Sequence, residues 1–109
     1  MKGMFSMELQ KISENGVLNI TITGRVDTTT APVLESELKG DYDSCEQMIL
    51  DFTNVEYISS AGLRVLLYAH KTMARKGGLT VRNADEDIME IFEVTGFAGF
   101  LNMNKQRDR

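Results

Sequence analysis

Tryptophan is absent from this 109-residue chain, and cysteine, proline and histidine each occur once. A single cysteine, Cys45, excludes an internal disulfide and suits a reducing compartment. His70 has no second histidine or cysteine at a spacing that would build a metal site or a catalytic triad. No apolar run approaches the length of a membrane span, and the opening MKGMFSMEL lacks the apolar stretch of a signal peptide. A cytoplasmic protein with no membrane partner is expected. Basic charge is scarce too: 12 Lys and Arg stand against 16 Asp and Glu, a formal net charge of −4. That balance argues against a direct nucleic-acid partner, which would need clustered cations. Linkers, repeats and low-complexity segments are also missing, so residues 1–109 read as a single domain, with 105–109 as a frayed tail.

What is present is ordinary globular chemistry, with 42% hydrophobic and 26% charged residues. A chain of this length buries about two thirds of its unfolded surface. The seven methionines suggest a core filled by flexible thioethers and aliphatics. A monomer is the expected state.

The patterning predicts the order β-β-α-β-α-β-α-β. Met7–Ile12 reads as a weak strand closed by Glu14-Asn15-Gly16, a hairpin signal. From Val17 to Thr23, Leu18, Ile20 and Ile22 alternate with Asn19, Thr21 and Thr23. One polar face means a sheet covered by helices on one side only, which excludes a doubly wound sandwich. A turn is expected over Gly24–Asp27, then a helix with Thr28, Thr29 or Thr30 as cap, Pro32 in its first turn and Leu34 and Leu38 as its stripe. Gly40–Ser44 reads as a loop and Glu46–Phe52 as the next strand, followed by a short turn. The helix after Ser60 places Leu63, Leu66, Leu67, His70 and Ala74 on one face and ends at Gly77-Gly78. A strand over Leu79–Arg82, a helix capped by Asn83 or Asp85 with Ile88, Ile91, Phe92 and Thr95 inward, and an edge strand over Phe100–Met103 complete the chain. The fold class is therefore α/β, a single mixed and mainly parallel sheet with helices largely on one face.

The richest stretch is Asp51–Leu67, DFTNVEYISSAGLRVLL. It delivers two serines and a glycine onto a helix start, where unpaired N–H groups and the positive end of the dipole tolerate an anion. A serine there can cap the helix or accept a phosphate. The loop from Arg25 to Thr30 also follows the carboxyl end of a strand, so both segments should emerge at one end of the sheet. Asp27 there could meet a partner's Arg or Lys, or serve its own turn. Other features read blandly: Cys45 as a bystander thiol, Asp85, Glu86 and Asp87 as charge complementing a helix dipole, and Lys76-Gly77-Gly78 as a helix end lacking the Lys-Ser/Thr of a phosphate loop.

Three stretches in order, Gly24-Arg25-Val26-Asp27 with Thr30-Ala31, DFTNVEYISSAGLRVLL, and Gly77-Gly78 leading through Asn83 to IFEVTGFAGFL, resemble the STAS family. That family is shared by sulfate transporters and anti-sigma-factor antagonists, and a free-standing domain of this length is most similar to the antagonists. The resemblance implies binding to an anti-sigma factor that is also a serine kinase, release on phosphorylation, and resetting by a serine phosphatase. The family turn usually reads Asp-Ser-Ser-Gly or Asp-Ser-Ala-Gly with the acceptor after the aspartate; here Ser59-Ser60-Ala61-Gly62 puts the acceptor at Ser60. Ser59 replaces the aspartate and becomes a second possible acceptor. The implied partner surface comprises Arg25, Asp27, Thr28, Ser59, Ser60, Ala61, Gly62 and Arg64. No cofactor, metal or catalytic residue is implied. A competing reading keeps the fold but drops phosphorylation, making the chain a scaffold or accessory subunit of a transporter or signalling assembly. A third, with Ser60 as an enzymic nucleophile, requires a base that neither His70 nor Lys71, over two turns further along the helix, obviously supplies.

Overall fold

The computed structural model describes residues 7–97 and 102–104. Its elements run β1 (Met7–Glu14), β2 (Val17–Val26), α1 (Ala31–Asp41), β3 (Gln47–Ile58), α2 (Ser60–Met73), β4 (Leu79–Arg82), α3 (Glu86–Val94) and β5 (Asn102–Asn104). The five strands described lie side by side in chain order. β1 pairs antiparallel with β2, and every later pair is parallel. The hairpin turns on Asn15 and Gly16, at φ 54° and 83°. Positive φ at both central positions is what the asparagine-glycine pair supplies most readily.

Leu18, Ile20 and Ile22 of β2 and Met48, Leu50 and Phe52 of β3 are buried, while Asn19, Thr21, Ile49 and Asp51 between them are only partly covered. The buried side meets Leu34 and Leu38 of α1, Leu66 and Met73 of α2 and Phe92 of α3. Phe52 and Phe92 lie with ring centroids 6.2 Å apart and planes inclined at 50°. One-sided coverage therefore stands.

The ends of β2, β3 and α1 run past the expectation, each for a physical reason. β2 does not turn at Gly24 but continues to Val26, because Val26 is fully buried and pairs with Ile58. β3 does not end at Phe52. Its register against β2 slips twice, Thr21 facing Asp51 but Thr23 facing Asn54, then Gly24 facing Val55 but Arg25 facing Tyr57. Two extra residues on β3 change the buried spacing from two to three, giving Phe52, Val55 and Ile58. The first bulge is held by Asp51, whose Oδ1 accepts from the Thr53 amide at 2.9 Å and the Thr53 hydroxyl at 2.6 Å.

α1 likewise passes through Gly40 to Asp41 and tightens into a 3-10 turn over Tyr42–Ser44. Tyr42 and Cys45 are buried there, and Lys76 Nζ donates to the carbonyls of both at 2.6 Å. Lys11 reaches over from β1 to Glu37 at 2.6 Å and Asp41 at 2.8 Å. The buried face of α2 is rotated from the expected one: Gly62, Val65, Ala69 and Met73 join Leu63 and Leu66, Leu67 and His70 are half-buried, and Ala74 is exposed. In α3, Ile88 and Phe92 are buried, Thr95 is exposed, and Asp85 is the cap, accepting from the Ile88 amide at 2.9 Å. β5 covers Asn102–Asn104; Phe100 and Leu101 of the expected edge strand, and the tail at 105–109, lie outside the described residues.

Candidate functional site

β2 and β3 are parallel and end level with one another, Val26 opposite Ile58. The Ser59 amide then donates to the Val26 carbonyl at 2.8 Å, fastening the start of α2 to the end of β2. The two segments singled out by the sequence therefore meet at one end of the sheet.

Ser59 and Ser60 have different positions there. Ser59 is the cap, extended at φ −95° and ψ 176°, with its hydroxyl accepting from the Gly62 amide at 3.3 Å. Its carbonyl accepts the first helical bond, from the Leu63 amide at 2.9 Å. Ser60 is the first residue of the helix, exposed, and its hydroxyl has no hydrogen-bond partner among the described residues. The capping role open to Ser60 in the sequence thus falls to its neighbour.

Gly62 packs against the strand ends. It is buried, and a Cβ there would come within 2.8 Å of side-chain carbons of both Ile58 and Val26 and 3.0 Å of the Val26 carbonyl. Hydrogen is the only side chain that lets α2 sit so close to the strand ends, so Gly62 brings no side chain to the expected partner surface. Ala61 is half-buried and Arg64 exposed, so these two do face outward.

On the neighbouring loop, Asp27 is engaged with its own chain. Its Oδ1 accepts from the Thr29 amide and hydroxyl at 3.0 Å each and from the Thr30 amide at 3.1 Å. The Thr30 amide, aided by the Thr29 hydroxyl and amide, holds the Asp27 carboxyl below the usual carboxylate range despite some desolvation. Thr30 occupies the position before α1 but makes no side-chain cap. Its hydroxyl donates to the Arg25 carbonyl at 2.7 Å and accepts from the Asp27 amide at 2.8 Å, so a nearly buried polar group is satisfied. Asp27 is therefore first a loop brace; only Oδ2 remains outward, 3.6 Å from Arg25 Nε. Thr28 is exposed.

Tyr57 and the α1–α2 cleft were missed by reading the sequence. The Arg25 guanidinium lies 4.5 Å over the ring of Tyr57, a contact hidden when the strand was ended at Phe52. A cleft of about 340 Å³ opens beside Ser60, walled by Pro32, Ala61, Val65 and Tyr68 with Glu35 and Arg64 at its rim. The spacing Ala61, Arg64, Val65, Tyr68 could have revealed that outer helix face, since those positions share a stripe. His70 lies ten residues beyond Ser60, about 15 Å along the helix axis, too far to act as its base. Among the described residues no cluster of three His, Cys, Asp or Glu is gathered for a metal, and no helix is long and apolar enough to cross a membrane.

The sequence matches the STAS domain over residues 8–108. The chain belongs to the STAS domain family. Among its relatives is a Bordetella bronchiseptica protein named "Putative anti-sigma factor antagonist BtrV", 33% identical over 104 residues, covering 94% of this chain and 90% of the relative. The STAS fold recurs in the crystal structure of an anti-sigma factor antagonist from Mycobacterium paratuberculosis. That likeness has a TM-score of 0.82 at 23% identity, covering 90% of this chain and 85% of that one. The Bacillus cell fate determinant SpoIIAA in its phosphorylated form superposes with a TM-score of 0.71 at 13% identity, covering 93% of each chain. At these identities the two structures speak for the fold, while the BtrV match carries the family resemblance at the level of sequence.

Proposed function

We propose that this chain is an anti-sigma factor antagonist that binds an anti-sigma factor acting as a serine kinase and is released when Ser60 is phosphorylated. The observation that carries the reading is the exposed Ser60 hydroxyl, unbonded and one residue inside the helix, beside a cleft that a partner could cover. The relatives named as antagonists support the partner class. In the transfer, the γ-phosphoryl of ATP passes to Ser60 Oγ, the hydroxyl proton goes to a base of the kinase, and ADP leaves; the phosphatase returns the hydroxyl by hydrolysis. The product is a regulator acting in the cytoplasm, with no catalytic group of its own.

Phosphorylation adds about −1.5 to −2 charges. Within this protein the start of α2 tolerates that charge, so the fold persists. Across an interface already fitted to a hydroxyl, the dianion must be desolvated, and a penalty of roughly 3 kcal/mol weakens binding about a hundredfold. The scaffold reading draws its support from Ser59, which leaves the acceptor without the acidic neighbour usual in the family.

Incubation with ATP and the anti-sigma factor kinases of the same cell, followed by phosphosite mapping, separates the two. The switch predicts label on Ser60, none in Ser60→Ala, and retained kinase binding by that variant. A protein that binds its partner yet takes no phosphate at Ser60 or Ser59 is a scaffold.

A further inference from the structure

Ser60 and Arg64 are both exposed and stand four residues apart on α2. That spacing stacks them on one face of the helix, one turn apart. Helical side chains lean toward the N-terminus, so the stem of Arg64 tilts back over the turn that begins at Ser60. Arg64 has no ion-pair partner among the described residues, although Glu35 shares the rim of the same cleft. The other arginine at this end of the sheet is occupied: Arg25 stacks on Tyr57 and approaches Asp27. Ser59 adds no negative charge that would compete for a cation.

We propose that Arg64 is the built-in counter-ion for a phosphate on Ser60, drawn from the cleft rim to the phosphate when the modification is made. This rests on the reading of Ser60 as acceptor and adds the residue that receives the new charge. An acidic group four residues N-terminal to a basic one is the favourable order on a helix. A guanidinium matches phosphate oxygens with two parallel N–H donors, which a lysine in its place could not do. Modification then changes two positions of the surface at once, placing a dianion at Ser60 and removing a cation from the cleft. The other charges at this end are Arg25 near the end of β2, Asp27 in the loop before α1 and Glu35 on α1.

The test bypasses the kinase. Phosphoserine is incorporated at position 60 during translation, and the second ionisation of the phosphate, ordinarily near pH 6, is followed by ³¹P NMR. The backgrounds are the native sequence, R64Q, R64K and K71Q. Removing Arg64 is expected to raise that pKa by about half a unit, roughly a threefold gain in proton affinity. R64K is expected to fall between the native protein and R64Q. K71Q loses the same charge from the same helix eleven residues away and is expected to leave the pKa unchanged. Equal values in the native and R64Q proteins, or an equal rise in K71Q, overturn the proposal. Failure of a kinase to modify Ser60 would sink the functional reading while leaving this titration interpretable, so the two can fail separately.

Discussion

Two adjacent hydroxyls at the start of α2 are placed differently, one bonded as a cap and one exposed. The Ser59 oxygen is turned inward to the Gly62 amide, and a phosphate on it would displace that bond. Ser60, one residue on, faces water with nothing to give up. Asp27 illustrates the opposite fate, a residue suited to a partner whose carboxylate is largely consumed at home. Its folded-state pKa lies below the ordinary value of 3.8. The stability it contributes is therefore present above the unfolded value and lost as pH falls through the folded one. Asp27→Asn removes a charge-assisted acceptor, and urea midpoints should place it below the native protein at pH 7. The two curves should converge as pH falls through the folded-state value, where the native carboxyl is protonated as well. A gap that stays constant with pH would show that the ionised form is not what braces the loop.

At the scale of elements, legibility tracked periodicity. Leu18, Ile20 and Ile22 alternate without interruption, so β2 was readable as a strand with one buried face. β3 broke the rule halfway: two bulges convert its buried spacing to three, and Thr53-Asn54 then looks like a turn. Without the register of the neighbouring strand, nothing local distinguishes a bulge from an end. The buried face of α2 is obscured in the sequence for another reason. Counting large apolar residues favours Leu67, whereas close packing against the sheet selects the small Gly62 and Ala69. The site's location was legible because both of its segments follow parallel strands; the cleft and the Arg25–Tyr57 stack were not, since they depend on how α1 and β3 are placed.

Gly62 gives the element-scale prediction. Gly62→Ala should destabilise the protein by about 1–3 kcal/mol, an overpacking cost read from chemical denaturation. Because the obstructing atoms include the Val26 carbonyl that holds the Ser59 amide, the start of α2 must shift, and phosphorylation of Ser60 should slow. An alanine variant with native stability would mean that the junction gives way easily, removing the argument that α2 is locked against the strand ends.

For the whole molecule, the account is one of charge without refolding. A mainly parallel sheet with helices on one face brings two loop ends together, and the Ser60 hydroxyl there lies exposed beside a cleft. The interior that supports this end includes Val26, Ile58 and Leu63, all buried, so a surface phosphate has little to disturb. The same fold recurs in SLC26A9, where the likeness covers 17% of that longer chain. A shared fold does not fix a function, which has to be argued from the exposed residues. The most direct measurement is calorimetric titration of the anti-sigma factor kinase with the native protein and with the same protein carrying phosphoserine at position 60, alongside amide exchange on both. The account predicts a loss of affinity of about a hundredfold with exchange protection of the core unchanged. Equal affinities, or a weakened complex accompanied by loss of core protection, would contradict it.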